Sequence, residues 1–95
     1  MKSFGKGSAI GFIGAGIVGK SLAVVLSDAG YAVRAVSSRT YASAQELAHL
    51  VSGVVAYKNP SDVADVVDVA FITTPDDEVA VITSQIPWRS GQAVI

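Results

Sequence analysis

Residues 9–21 read Ala9-Ile10-Gly11-Phe12-Ile13-Gly14-Ala15-Gly16-Ile17-Val18-Gly19-Lys20-Ser21, and the character of the chain changes twice within them. Ala9–Ile13 is a short apolar run, read as a strand. Gly14, Gly16 and Gly19 follow at GxGxxG spacing. Beyond them Val18, Leu22, Val25, Leu26 and Ala29 recur at helical intervals, which predicts a helix burying that face. Gly30 stands just past the last of these, where a helix commonly ends on a left-handed residue.

A GxGxxG string carries meaning only between a strand and a helix, and here it has both neighbours. In that setting Gly14 permits the tight turn, Gly16 lets a pyrophosphate approach the backbone, and Gly19 lets the helix lie close to the strand. The free N–H groups of the first helical turn then face the diphosphate. Gly14, Ala15, Gly16, Ile17, Val18 and Gly19 are therefore the expected dinucleotide-binding turn. The same residues also satisfy GxxxxGK[ST], the phosphate loop of nucleotide hydrolases, with Lys20-Ser21 completing it. That alternative requires an acid on a later strand to hold magnesium. The candidate strand ends Phe71-Ile72-Thr73-Thr74 with no acid before Asp76. On the dinucleotide reading Lys20 is a solvated residue of the first helical turn.

Outward from the glycine turn, strands and helices alternate. Tyr31–Val36 has strand composition, and a second helix is expected over Ala42–Ser52. Its inward face would be Ala44, Leu47, Ala48 and Val51, with Ser43 and Glu46 as a capping box and Gly53 closing it. Val54–Tyr57 reads as a weaker third strand. Asn59-Pro60-Ser61 turns into a short helical stretch near Asp62–Asp65, and Val66–Ile72 contains a fourth strand. Thr74 as N-cap and Pro75 as first helical residue open another helix, whose positive end suits Asp76 and Asp77. Ala93-Val94-Ile95 starts a fifth strand. The pattern predicts an α/β fold: a Rossmann-type parallel sheet in the order 3-2-1-4-5, the fifth strand incomplete, with right-handed crossovers and helices on both faces.

Composition agrees with buried parallel strands: 51% of residues are hydrophobic and only 16% charged. The length allows one domain. A net charge of −1 gives no pull toward nucleic acid or membrane, and with no cysteine, disulfides and thiolate chemistry are excluded. No segment reads as a membrane span or a signal peptide, so a cytoplasmic location is expected. His49 is expected on the surface. Asp62, Asp65 and Asp68 are expected as solvated loop carboxylates and not as metal ligands, so no metal is expected. Trp88 reads as hydrophobic cover.

The end of the second strand selects between cofactors. NAD-binding domains usually place an Asp or Glu there, on the ribose hydroxyls. This chain has Ala35-Val36-Ser37-Ser38-Arg39-Thr40, with no carboxylate. The hydroxyls of Ser37 and Ser38 and the guanidinium of Arg39 suit a phosphomonoester, so NADP is expected in preference to NAD.

Ile10–Gly19, Ser37-Ser38-Arg39-Thr40 and Phe71–Asp77 together resemble the N-terminal domain of the pyrroline-5-carboxylate reductase and 6-phosphogluconate dehydrogenase superfamily. Phe71-Ile72-Thr73-Thr74-Pro75-Asp76-Asp77 is similar to a branch of oxidoreductases that joins a Rossmann-like domain to a helical C-terminal domain of unknown function. The resemblance implies that Thr73, Thr74 and Pro75 line the pocket beside the nicotinamide half of NADP. It also implies that substrate and dimer contacts come largely from a C-terminal domain beyond these residues. The expectation is an NADP(H)-binding domain, residues 1–95, of an oxidoreductase moving hydride to or from a C=N or C=O centre. No catalytic residue is identifiable in it. The rival is a non-catalytic module that binds or senses a nucleotide. The missing domain, or a second copy in a homo-oligomer, is expected to cover Trp88–Ile95.

Overall fold

The residues on either side of the glycine turn set the architecture. Ala9–Ile13 forms β1 and Ile17–Asp28 forms α1, in a computed structural model that describes residues 7–74, 86, 88 and 91–95. The other elements are β2 (Ala32–Ser37), α2 (Tyr41–Leu50), β3 (Val55–Tyr57), α3 (Pro60–Val66), β4 (Val69–Ile72) and β5 (Ala93–Val94). The strands form one sheet in the order β3-β2-β1-β4-β5, and every pairing is parallel. This is the expected Rossmann-type α/β topology. The helix predicted to open at Pro75, with Asp76 and Asp77, lies outside the described residues. No helix among the described residues is long and apolar enough to cross a membrane.

Both sheet faces are covered. Ile10, Phe12, Val33 and Val36 pack with Ala23 of α1 and with Ala44 and Leu47 of α2. Ile13, Ala35 and Ala70 pack on the opposite side with Val63 and Ala64 of α3, and with Val67 and Ile86. Phe12 stacks on Phe71, its partner in register, with ring centroids 5.3 Å apart. Burying a side chain such as Phe12 or Leu47 contributes about 1.5–3 kcal/mol. Trp88 is partly buried against the α3 face.

A break in register shapes β2. Ile10 pairs with Val33 but Gly11 pairs with Ala35, so Arg34 is an inserted residue with no partner on β1. The bulge lets Val33 and Val36 share one face while Arg34 leaves the sheet toward solvent.

Several local expectations change. The buried residues of α1 are Gly19 and Ala23, while Val18 and Val25 are exposed. The helix is docked through its smallest residues because they allow the closest approach to the sheet, which turns the face predicted from hydrophobicity partly outward. Gly30 does end the helix, at φ 93°, with Tyr31 N–H donating to the Leu26 carbonyl and Gly30 N–H to Ser27.

The second helix starts at Tyr41 with Thr40 at the N-cap, so no Ser43–Glu46 capping box forms. Ser43 N–H donates to the Thr40 carbonyl, and Glu46 turns across to α1. The third helix is longer than its predicted stretch because Pro60 supplies the first-turn residue, and Val63 and Ala64 bury its inner face. Its last carbonyls are held by the Gln92 amide, which donates to Ala64 O at 2.6 Å and Val67 O at 2.8 Å.

Asp68 is not a free loop carboxylate. Its Oδ2 accepts the Ala9 N–H at 2.9 Å, and its backbone joins Ala9 and Ala93, tying the start of β1 to β4 and β5. Asp62, Asp65 and His49 are exposed, as expected.

The third helix approaches β1 at Gly11. A Cβ there would meet Val63 Cγ1 at 2.5 Å and Val67 Cγ1 at 2.8 Å. Valine is stiff at χ1, so neither methyl swings away freely. Gly11→Ala should cost about 1–3 kcal/mol, the range for overpacking. In a double-mutant cycle by chemical denaturation, Val63→Ala should recover part of that loss. Additive losses would show that α3 does not press on Gly11.

Candidate dinucleotide site

The C-terminal ends of β1, β2 and β4 meet around the glycine turn, the edge where open α/β sheets bind ligands. Gly14 leaves β1 at φ 113°, a left-handed conformation suited to glycine. Its N–H donates to the Ser37 carbonyl at 2.8 Å, fastening the turn to β2. On the other side Thr73 N–H donates to the Ile13 carbonyl, and Thr73 Oγ1 donates to the Gly14 carbonyl at 2.9 Å. A Cβ on Gly14 would lie 2.9 Å from Thr73 Oγ1, and one on Gly19 would lie 2.6 Å from Gly14 O and 2.8 Å from Thr73 Oγ1. Gly14 and Gly19 are thus the two walls of a corner that Thr73 fills.

Gly16 is different. Its backbone is extended (φ −77°, ψ −166°), open to any residue, and a Cβ there would have nothing within 4 Å. No feature of the fold among the described residues requires glycine at this position. It stands at the N-cap of α1, and glycine has no side chain to cap with. Lys20 N–H is the donor that takes the Gly16 carbonyl, and helix geometry gives the N–H groups of Ile17, Val18 and Gly19 no such acceptor. The first turn of α1 contains no acid that would compete for them. Ile17 and Val18 are exposed beside this open space. The arrangement has the form of an anion cradle: open space at residue 16 before the first N–H groups of a helix.

Two buried hydroxyls flank the cradle. Ser37, 1% exposed, ends β2, and Thr74 follows β4; neither Ser37 Oγ nor Thr74 Oγ1 has a hydrogen-bond partner among the described residues. Such donors are uncommon without a partner, and here they stand on the strands either side of the glycine turn.

Thr73 and Thr74 therefore divide the labour. Thr73 spends its hydroxyl on the turn, and Thr74 keeps its own. Pro75 lies outside the described residues. Ser37 is built into the sheet, and it is Ser38, half-buried, and Arg39, exposed, that emerge from the strand end.

Lys20 does not point at the cradle. Its Nζ bonds Glu46 Oε2 at 2.6 Å, joining α1 to α2, so it is ion-paired and not simply solvated. That hydrogen bond, then the charge of Lys20, holds the Glu46 carboxyl below its usual range. A lowered folded-state pKa makes the pair's contribution present above the ordinary carboxylate pKa and lost as pH falls through the lowered one. The strand β4 ends at Ile72 and runs on into Thr73 and Thr74, so among the described residues no acid stands at its tip, as a hydrolase phosphate loop would require. Among the described residues no cluster of His, Asp and Glu forms a metal site.

Comparison with known proteins agrees with this geometry. The profile of the family described as NADP oxidoreductase, coenzyme F420-dependent, matches residues 9–95. A Bacteroides fragilis protein classed as an NADP oxidoreductase superposes with a TM-score of 0.82 at 27% identity, over 92% of this chain and 34% of its own. Quinate dehydrogenase from Corynebacterium glutamicum, solved with NAD, gives a TM-score of 0.63 at 26% identity, over 72% of this chain and 27% of its own. An imine reductase from Pseudomonas sp. shares the fold, with a TM-score of 0.76 at 24% identity over 92% of this chain and 31% of its own. The chain thus spans about a third of the Bacteroides fragilis and Pseudomonas structures (34% and 31%). A search of curated proteins returned no match.

The three glycines should separate cleanly in mutagenesis. Gly19→Ala forces a Cβ onto the Gly14 carbonyl and should destabilise the fold by about 1–3 kcal/mol. Gly16→Ala should leave stability within about 0.5 kcal/mol, as at a surface position. Thermal melts of the two variants decide it, and a Gly16→Ala loss equal to that of Gly19→Ala would show that residue 16 is glycine for packing.

Proposed function

The chain belongs to the family described as NADP oxidoreductase, coenzyme F420-dependent, and on that premise we propose that it is the cofactor-binding part of a larger oxidoreductase preferring NADP(H) to NAD(H). The substrate centre is a C=N or C=O carbon or the corresponding reduced carbon. Bound nicotinamide supplies the hydride chemistry. The chain's own residues bind and orient. Ala15, Gly16, Ile17, Val18 and Gly19 would hold the diphosphate on the first turn of α1, and Thr74, with Pro75, would border the nicotinamide half.

The observation that carries this reading is Gly16: an open, unstrained glycine at the head of a helix whose first N–H groups have no partner within it. A pyrophosphate is the group that such a space and such donors fit.

The preference for NADP rests on the exit from β2. Ser38 and Arg39 emerge there, with no carboxylate between Ser37 and Gln45 to repel a 2′-phosphate. The Bacteroides fragilis relative is likewise classed as an NADP oxidoreductase. Substrate-binding and catalytic groups are assigned to parts of the protein beyond this chain, since its fold relatives are about three times as long (the chain covers 34% and 31% of them). Those parts, or a second copy, cover the exposed Val94 and Ile95.

Paired titrations with NADPH and NADH test the cofactor preference. A charge-assisted bond to the 2′-phosphate contributes about 1.5–3 kcal/mol, a preference on the order of 10- to 150-fold. Arg39→Ala should remove most of it and spare NADH affinity. Burial makes Ser38, and not Ser37, the position for a carboxylate, so Ser38→Asp should tip the preference toward NADH. Equal affinities in the wild-type protein would refute the NADP assignment.

A further inference from the structure

We infer that Lys58 is a second cation for the 2′-phosphate of NADP(H), a specificity-determining residue one strand away from Arg39. The inference rests on the NADP reading above and deepens it. Ser37 and Tyr57 are partners at the ends of β2 and β3. The next residues, Ser38 and Lys58, therefore leave the same edge of the sheet side by side, on strands about 4.8 Å apart. From there the Lys58 ammonium extends over the ring of Tyr41, with Nζ 5.6 Å from its centroid. Tyr41 directly follows Thr40 and begins α2. The ammonium thus lies against the first residue of α2, the helix into which the Ser38-Arg39-Thr40 segment leads.

Its electrostatic state distinguishes it from the other lysine near the turn. Lys20 is neutralised by Glu46. Lys58 forms no salt bridge among the described residues, and the exposed Asp62 at the start of α3 does not pair with it. Its partner is an aromatic face, a weak anchor at an exposed site that a phosphate readily outcompetes. A phosphomonoester carries roughly −1.5 to −2 charge at neutral pH, more than one guanidinium balances. Lys58 supplies the balance without making an NAD-type contact, because NADH presents no charge at that place.

Calorimetric titrations of wild type, Lys58→Met and Lys58→Arg test this, with NADPH, NADH and the fragments 2′,5′-ADP and 5′-AMP as ligands at matched low ionic strength. Lys58→Met should weaken NADPH and 2′,5′-ADP about tenfold, equivalent to about 1.4 kcal/mol. NADH and 5′-AMP should stay within about twofold, and Lys58→Arg should retain most of the wild-type preference, since an exposed cation acts here chiefly as a charge. If wild type prefers NADPH but Lys58→Met keeps the full preference, Lys58 is idle and the inference fails while the NADP reading stands. Equal weakening of NADPH and NADH would mark a structural effect and also overturn it. A wild type with no preference would defeat the NADP reading itself.

Discussion

Thr73 holds the site together by reaching from the end of β4 into the corner between Gly14 and Gly19. Its backbone N–H continues the β1–β4 ladder onto Ile13, and its hydroxyl donates to the Gly14 carbonyl. The turn cannot open without breaking that bond, and α1 cannot draw back without uncovering it. A Cβ on either glycine would collide with this arrangement. From the other flank the Ser37 carbonyl receives the Gly14 N–H, so three neighbouring strands fix one peptide. The direction of α1, and with it the aim of its first N–H groups, follows from that clamp. A binding site that relies on backbone donors needs a backbone held this firmly.

The same geometry explains why the two possible phosphate motifs in one stretch of sequence resolve in favour of one. Lys20 has the spacing of a phosphate-loop lysine but belongs to the side of α1 that meets α2, where Glu46 takes its charge. The exposed apolar residues Ile17 and Val18, and Val25 further along, occupy the outer side of the helix. What remains at the head of the helix is backbone, open space at Gly16 and the hydroxyl-rich ends of β2 and β4. Among the described residues, the cations proposed for the rim are Arg39 and Lys58.

Much of this was legible in the sequence, because buried parallel strands and glycine punctuation are strong local signals. The run Ala9–Ile13, the left-handed Gly30 and the sheet order follow from them directly. The face of α1 was less legible. Hydrophobicity favours Val18 and Val25, yet distance to the sheet favours Gly19 and Ala23, and closeness outranks apolarity beside a strand. Arg34 gives no sign in sequence that it is an inserted residue; only the register of β1 against β2 reveals the bulge. Thr73 and Lys58 were invisible as partners of Gly14 and Tyr41 because those contacts join segments far apart in the chain. Gly11 carried a usable signal, a glycine in the middle of an apolar strand, which marks close approach of another element.

On the proposed function, the first turn of α1, opened by Gly16, receives the diphosphate of a nicotinamide dinucleotide. A crystal structure of the protein with NADPH tests it most directly. Diphosphate oxygens are expected within hydrogen-bond distance, about 2.7–3.2 Å, of backbone N–H groups between Ala15 and Gly19. The 2′-phosphate is expected at the exit of β2 beside Ser38 and Arg39. Density for the diphosphate anywhere else on the chain, with the space above Gly16 filled by water alone, would contradict it.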